Sequence, residues 1–315
     1  MSEVPSITIY ACGGTGINMA RAFVRNEPTL KDAVTIVRLD SSNSNVMAGE
    51  SLNKVVPDGA ASGAGKIRET IVNHAQQYIS NARQETLKPS DVNIVLFSMS
   101  GGTGSVVGPL LIRKLTNQGH QAVALTVSGY ESQLDIENSI RTVQSLDKIC
   151  DAGNIYLPLQ VFDNYFKREN VNVTLPHRLS LTIQILIQET REIDGKDRLN
   201  WLNGTKTSGA TSGIKTMHVV VGNRDEDPNS GEVWFGTNND IVDAVLDIGI
   251  DNETDTSQPS YVVAGRGIKS RVRYDGIFTQ SLAPMLGIIG TNKGSLIEYL
   301  DERKNGYNAQ DLLVL

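Results

Sequence analysis

Six residues carry the strongest chemical signal in the chain: Ser100-Gly101-Gly102-Thr103-Gly104-Ser105. Three glycines let successive backbone N–H groups converge on one point, a nest for an anion. Thr103 and Ser105 add hydroxyl donors, and a helix predicted to open near Ser105 adds the positive end of its dipole. A tight turn without a ligand needs fewer glycines than this. A second loop, Gly13-Gly14-Thr15-Gly16, follows an apolar run. A third, Gly59-Ala60-Ala61-Ser62-Gly63-Ala64-Gly65-Lys66, has the look of a P-loop but fails its pattern. Ala60 stands at the first glycine and Ile67 at the Ser/Thr that would meet magnesium. It reads either as a third phosphate-facing loop, with Gly63, Ala64 and Gly65 at the ligand, or as a flexible linker before a helix. Three loops of this kind point to phosphate recognition by main chain.

One enzyme class competes. Gly14 and Gly16 are two-thirds of a dinucleotide fingerprint, with Met19 at its third position, and Asp40 ends the next strand where a ribose-binding acid belongs. That pattern would suit a Rossmann-type oxidoreductase. Such an enzyme also needs an acid–base residue, and none of His74, His120, His177 and His218 sits in a recognisable constellation.

The elements that must position these loops alternate. Strands are predicted at Ser6 to Ala11, Ala33 to Leu39, Asn93 to Met99, Ala122 to Val127 and Ile155 to Phe162. Helices are predicted at Ile17 to Arg25, Lys66 to Asn81, Ser105 to Asn117 and Leu134 to Ile149, with residues 41 to 65 as loop. Alternation of this kind predicts an α/β fold, a parallel sheet with helices on both faces. Ligands then lie beyond the carboxyl ends of the strands, where the glycines cluster. Leu179 to Ile193 is apolar almost all round and reads as a central helix buried between domains. After it the pattern changes to a smaller α+β unit. Its strands are predicted at Met217 to Val221, Val233 to Phe235, Tyr261 to Ala264 and Leu286 to Ile289. Its helices are predicted at Asp240 to Ile248 and Gly294 to Arg303. The expected division is 1–176, 177–204, 205–292 and 293–315, the last a helix and a tail closing on Leu312-Leu313-Val314-Leu315.

Bulk properties exclude other classes. A net charge of −6 argues against a nucleic-acid coat, so no direct nucleic-acid binding is expected. No apolar run approaches the ~20 residues that span a bilayer, and Met1 to Pro5 lacks the blocks of a signal peptide, so no membrane contact is expected. The two cysteines, Cys12 and Cys150, form no metal or disulfide framework, which suits a reducing cytoplasm.

The loop Gly101 to Ser105 resembles the Gly-Thr-Gly-Ser/Thr signature of the tubulin/FtsZ superfamily, and the order and spacing of the other loops match as well. The run-on Ser105-Val106-Val107-Gly108 and the chain length look most like the compact phage-encoded tubulins of the PhuZ group. The resemblance covers about residues 5 to 204 by motif. It implies GTP and GDP as ligands with Mg2+ carried by the triphosphate, whose oxygens and waters supply most of its ligands, and no dedicated protein metal site. It implies phosphate contacts from Gly13, Gly14, Thr15 and Ser100 to Ser105, with Asp40 at the same site. Asn18 would contact the base with Cys12 nearby, and Glu131, or less well Asp135, would contact the ribose. A further base contact would come from Asn164, Asn170 or Asn172. In Glu192-Ile193-Asp194-Gly195-Lys196-Asp197, Asp194 and Asp197 resemble the family's catalytic loop, which reaches the nucleotide of the next subunit. Two acids three residues apart share one face of a turn and can orient a water at the γ-phosphate. The plainer reading is a solvated Asp-Gly turn. Glu192 departs from the Asn found in many bacterial relatives.

The resemblance further implies head-to-tail filaments, since neither subunit holds a whole active site. Contacts from the tail Asn305 to Leu315, a host bacterial cytoplasm, and phage DNA or capsid as indirect cargo belong to the same implication. A nucleotide-loaded scaffold without hydrolysis is the non-enzyme alternative.

Overall fold

The computed structural model describes residues 4–57, 63–129, 131–164, 168–187, 202, 212–223, 265–266 and 272–281. The elements follow in chain order as β1 (Ile7–Cys12), α1 (Gly13–Asn26), β2 (Val34–Asp40), β3 (Asn53–Lys54), α2 (Val72–Asn81), α3 (Gln84–Leu87), β4 (Val92–Ser98) and α4 (Gly104–Asn117). Then come β5 (Gln121–Ser128), α5 (Gln133–Gly153), β6 (Tyr156–Asp163), α6 (Arg168–Ile187), β7 (Gly213–Asn223), β8 (Gly265–Arg266) and β9 (Val272–Ser281). Among the described residues they form one sheet in the order β3-β2-β1-β4-β5-β6-β7-β9-β8. The first seven strands run parallel, and β9 joins β7 and β8 antiparallel.

Strands buried on both faces read as continuous apolar runs rather than alternating ones, and β1 and β4 are buried at every position. Side chains of opposite parity feed two cores. Ile7, Ile9, Ala11, Ile94 and Leu96 face α1 and α6, meeting Ile17, Phe23, Leu175, Leu179 and Ile183. Tyr10, Cys12, Val95 and Phe97 face α2, α4 and α5, meeting Ala75, Ile79, Val107, Leu111, Ile136 and Leu146. Each fully buried Leu or Ile contributes roughly 1.5–3 kcal/mol of transfer free energy. One lysine ties the second layer together. The Lys114 Nζ of α4 donates to the carbonyls of Ile79 (2.7 Å), Ser80 (3.0 Å) and Ala82 (2.7 Å), capping the end of α2.

The alternating pattern was read correctly, but several boundaries move. α1 begins at Gly13, not Ile17, because the glycine loop is itself the first helical turn. The predicted helix from Lys66 breaks into a 3-10 turn at Arg68–Thr70 and α2 from Val72. α6 starts at Arg168, eleven residues before Leu179, and carries Pro176 inside it. The segments 188–201, 224–264 and 282–315, with the elements predicted there, lie outside the described residues.

Candidate functional site

The strand order reverses between β1 and β4: the chain goes outward to β2 and β3 from one, and to β5 and β6 from the other. Such a switch point leaves a crevice at the carboxyl ends of the two strands. The first glycine loop follows β1 and the signature loop follows β4, so both open into this crevice. A cavity of about 200 Å³ lies there, lined among others by Gly13, Gly14, Thr15, Gly102, Thr103 and Gly104. Asp40, Ser41 and Asn45 line it from the β2 side, and Gly63, Ala64, Gly65 and Lys66 close it from the third loop. All three glycine loops expected from sequence therefore converge on one cavity.

The glycines are required by contact. A Cβ built on Gly102 would lie 2.5 Å from the Cβ of Ala64, so the signature loop and the third loop meet only because Gly102 has no side chain. Gly13 has φ +70° and packs against the backbone of Gly104. Gly63, Gly65 and the non-glycine Lys66 also take positive φ (128°, 53° and 65°).

Two helix N-termini face the cavity without a cap. Neither Cys12 before α1 nor Thr103 before α4 makes a side-chain capping bond, and neither helix has an acid in its first turn. The first N–H groups of a helix have no partner within it. In α5, by contrast, Ser132 accepts from the Asp135 amide and Asp135 sits in the first turn. Two uncapped helix ends, neither with an acid in its first turn and both aimed at one crevice, suit an anion.

Serine and threonine hydroxyls shape the loops. Ser98 Oγ accepts from the amides of Ser100 and Gly101, both at 3.2 Å, which curls the start of the signature loop. Ser105, expected as a ligand donor, is fully buried and gives its hydroxyl to the Gly102 carbonyl at 3.3 Å. Thr103 Oγ1 lies 2.6 Å from Ser41 Oγ. Asp40 is buried, and both its oxygens are spent on its own loop. One accepts from the Ser41 amide at 2.7 Å and the other from Asn45 Nδ2 at 2.9 Å. That loop is fastened to α1 by Arg21, which donates to the Asn45 carbonyl and to Glu50. Arg21 and the Met47 amide, with the nearby Arg38, hold the Glu50 carboxyl down at about 2. Burial, seconded by the Asp40 charge, pushes the Cys12 thiol up, so it is a packed wall rather than a nucleophile.

The remaining expected contacts stand outside the cavity lining. Asn18 is exposed on α1, where its Oδ1 accepts from Arg21 at 3.0 Å. Glu131 is exposed ahead of α5, and Asn172 is exposed on α6. Asn164 follows β6 with its amide donating to the Ser128 carbonyl, while its buried Oδ1 has no hydrogen-bond partner in the described structure. An orphaned buried acceptor suits a ligand donor such as a purine N–H. Asp194 and Asp197 lie outside the described residues. Among the described residues, no three His, Cys, Asp or Glu side chains cluster as a metal site.

Sequence reasoning did not single out Ser41, Ser42, Ser44 and Asn45 as cavity lining. The signal was present as an unbroken Ser-Ser-Asn-Ser-Asn run straight after a strand end, a composition that favours tight polar turns.

The model of the tubulin/FtsZ family GTPase domain matches residues 6–164. The chain belongs to the tubulin/FtsZ family. It is 28% identical over 211 residues to a phage tubulin-like protein of Pseudomonas phage PhiPA3, covering 65% of this chain and 63% of that relative. The match thus spans less than two thirds of the relative's length. The tubulin/FtsZ fold is also seen in solved structures. A protofilament of TubZ from Bacteriophage PhiKZ superposes with a TM-score of 0.70 at 18% identity, covering 95% of this chain and 92% of that one. The phage tubulin PhuZ with GDP superposes at 0.71 and 20% identity, covering 94% and 93%.

Proposed function

We propose that this chain is a tubulin-like GTPase that assembles head-to-tail into filaments and hydrolyses GTP at the contact between subunits. The convergence of three glycine loops and two uncapped helix ends on one cavity carries this reading. Main-chain amides of the loops after β1 and β4 hold the phosphates, and the loop Gly63–Lys66 covers them. Asn18, Glu131 and Asn164 hold sugar and base at the rim. Asp194 and Asp197 of the next subunit orient the attacking water, so the site is completed only in the polymer. A magnesium ion would rest mainly on the triphosphate oxygens and would offset phosphate charge.

Relatives that are filaments or protofilaments support self-assembly. The phage origin of these relatives supports a role in positioning phage DNA or the replication compartment in the host cytoplasm. Removing Asn305 to Leu315 is expected to abolish assembly while GTP binding persists.

The test is GTP hydrolysis per subunit against protein concentration. A rate near zero below a threshold and rising above it supports a shared site. A constant rate per subunit would show a site complete in the monomer and remove Asp194 and Asp197 from it.

A further inference from the structure

Helix α5 contributes no residue to the cavity lining, yet its inward face is polar where the loops pass over it. Asp135, Asn138 and Thr142 are 2%, 1% and 0% exposed. Buried polar groups persist where every bond is made, so their partners disclose their purpose. The Asn138 carboxamide donates one bond to the Lys66 carbonyl (2.9 Å) and one to the Ser100 carbonyl (3.1 Å). One side chain thus joins the third glycine loop to the signature loop. Thr142 Oγ1 lies 2.9 Å from the Met99 carbonyl, just ahead of the signature loop, and 2.7 Å from the Asn138 carbonyl, and it accepts from Arg68 Nη1 at 3.3 Å. Asp135 accepts from Lys66 Nζ at 2.9 Å and from Ser132 Oγ at 2.8 Å.

Lys66 is held from both ends while in a left-handed backbone conformation, φ 65°. A non-glycine residue there persists only when its surroundings over-determine it. Asn138 fixes its carbonyl and Asp135 its ammonium group. The loop so held touches Gly102 across the cavity, through Ala64 and the Lys66 backbone.

We infer that Asn138 is a positioning residue that sets the third glycine loop over the terminal phosphate, so that the preference for GTP over GDP depends on it. This rests on the reading above that the ligand is a guanine nucleotide. Strand order supplies the direction. The orphaned Asn164 follows β6, and the third loop follows β3 on the other side of the switch point. A nucleotide with its base toward Asn164 points its last phosphate at Gly63–Lys66.

The experiment compares GTPγS and GDP affinities by competition against a fluorescent guanine nucleotide, below the assembly threshold. In Asn138→Ala, affinity for GTPγS is expected to fall about tenfold, with GDP changed less than twofold. Ser98→Ala, which removes the acceptor of the Ser100 and Gly101 amides in the signature loop, is expected to weaken both ligands alike. Unfolding temperature without nucleotide reports whether each variant is folded. Should Asn138→Ala not fold, Asp135→Asn keeps the shape, loses the Lys66 ion pair, and is expected to shift the ratio in the same direction. Equal losses for GTPγS and GDP in the folded variant overturn the inference. Failure of the unmodified chain to bind either nucleotide would overturn the guanine-nucleotide reading instead.

Discussion

Gly13 and Gly104 meet back to back: a Cβ on Gly13 would lie 2.8 Å from the Gly104 amide nitrogen. Gly13 also holds φ +70°, which a side chain resists. Gly13→Ala is therefore expected to cost about 2–4 kcal/mol, combining left-handed strain with overpacking. It also pushes apart the two helix ends that face the cavity. Thermal unfolding should show the loss. Nucleotide titration should show weakened binding even well below the unfolding temperature.

The glycine that continues the signature loop has a separate task. A Cβ on Gly108 would fall 2.6 Å from the ring of Phe97, so α4 rests directly on that aromatic face. Gly108→Ala is expected to destabilise by about 1–3 kcal/mol. Adding Phe97→Leu should recover part of that loss, since contacting sites are not additive. Urea midpoints of the two single variants and the double variant form the check. A double variant that is merely the sum of the singles would separate the two residues.

Glu50 predicts a pH dependence with a definite sign. Its carboxyl is held near 2 in the fold by Arg21, and an unfolded Glu titrates near 4.3. A depressed carboxylate adds stability above its unfolded value and loses it as pH falls through the folded one. Glu50→Gln should thus be less stable than the unmodified chain by about 1–3 kcal/mol at pH 7. The gap should narrow steadily from about pH 5 and close toward about pH 2. Urea unfolding at a series of pH values measures it. A gap independent of pH would assign Glu50 a packing role only.

Asp194→Ala and Asp197→Ala are expected to lower hydrolysis in assembled filaments by two to three orders of magnitude, in line with the loss of a positioned proton acceptor. On the proposed reading the acids serve the neighbouring subunit, so nucleotide affinity of the unassembled chain should stay unchanged. Mixing either variant with the unmodified chain should poison hydrolysis in proportion to the variant fraction. Unchanged phosphate release would favour a nucleotide-loaded scaffold.

What was legible in the chain were the features enforced locally. Val92 to Ser98 is apolar because it is buried on both faces, and the glycines after it announce backbone approach. The start of α1 was missed because Gly13 and Gly14 look like helix breakers, although an N-terminal turn tolerates them where an anion is wanted. The first eleven residues of α6 were hidden by Asn170, Asn172 and Pro176, poor helix formers overridden by packing of Val171 and Leu175 against α1. In β9, Asp275-Gly276 looks like a turn, yet Gly276 sits opposite Val220 in the ladder beside an irregular step. Asn138 was invisible for a different reason. Its partners are two carbonyls, 38 and 72 residues away. No periodicity announces a bond to main chain.

Where the wall of the cavity is glycine backbone at helix ends, at Gly13, Gly14, Gly102 and Gly104, it offers no side chains for selection or a designer to exchange. On the proposed reading, phosphate recognition is thereby frozen into the topology, while the choice of base is left to exposed or orphaned groups such as Asn18 and Asn164. On that reading such a chain can drift in which nucleotide it prefers while its phosphate loops stay unchanged. Changing it to a ligand without phosphate would mean dismantling the crossover between β1 and β4.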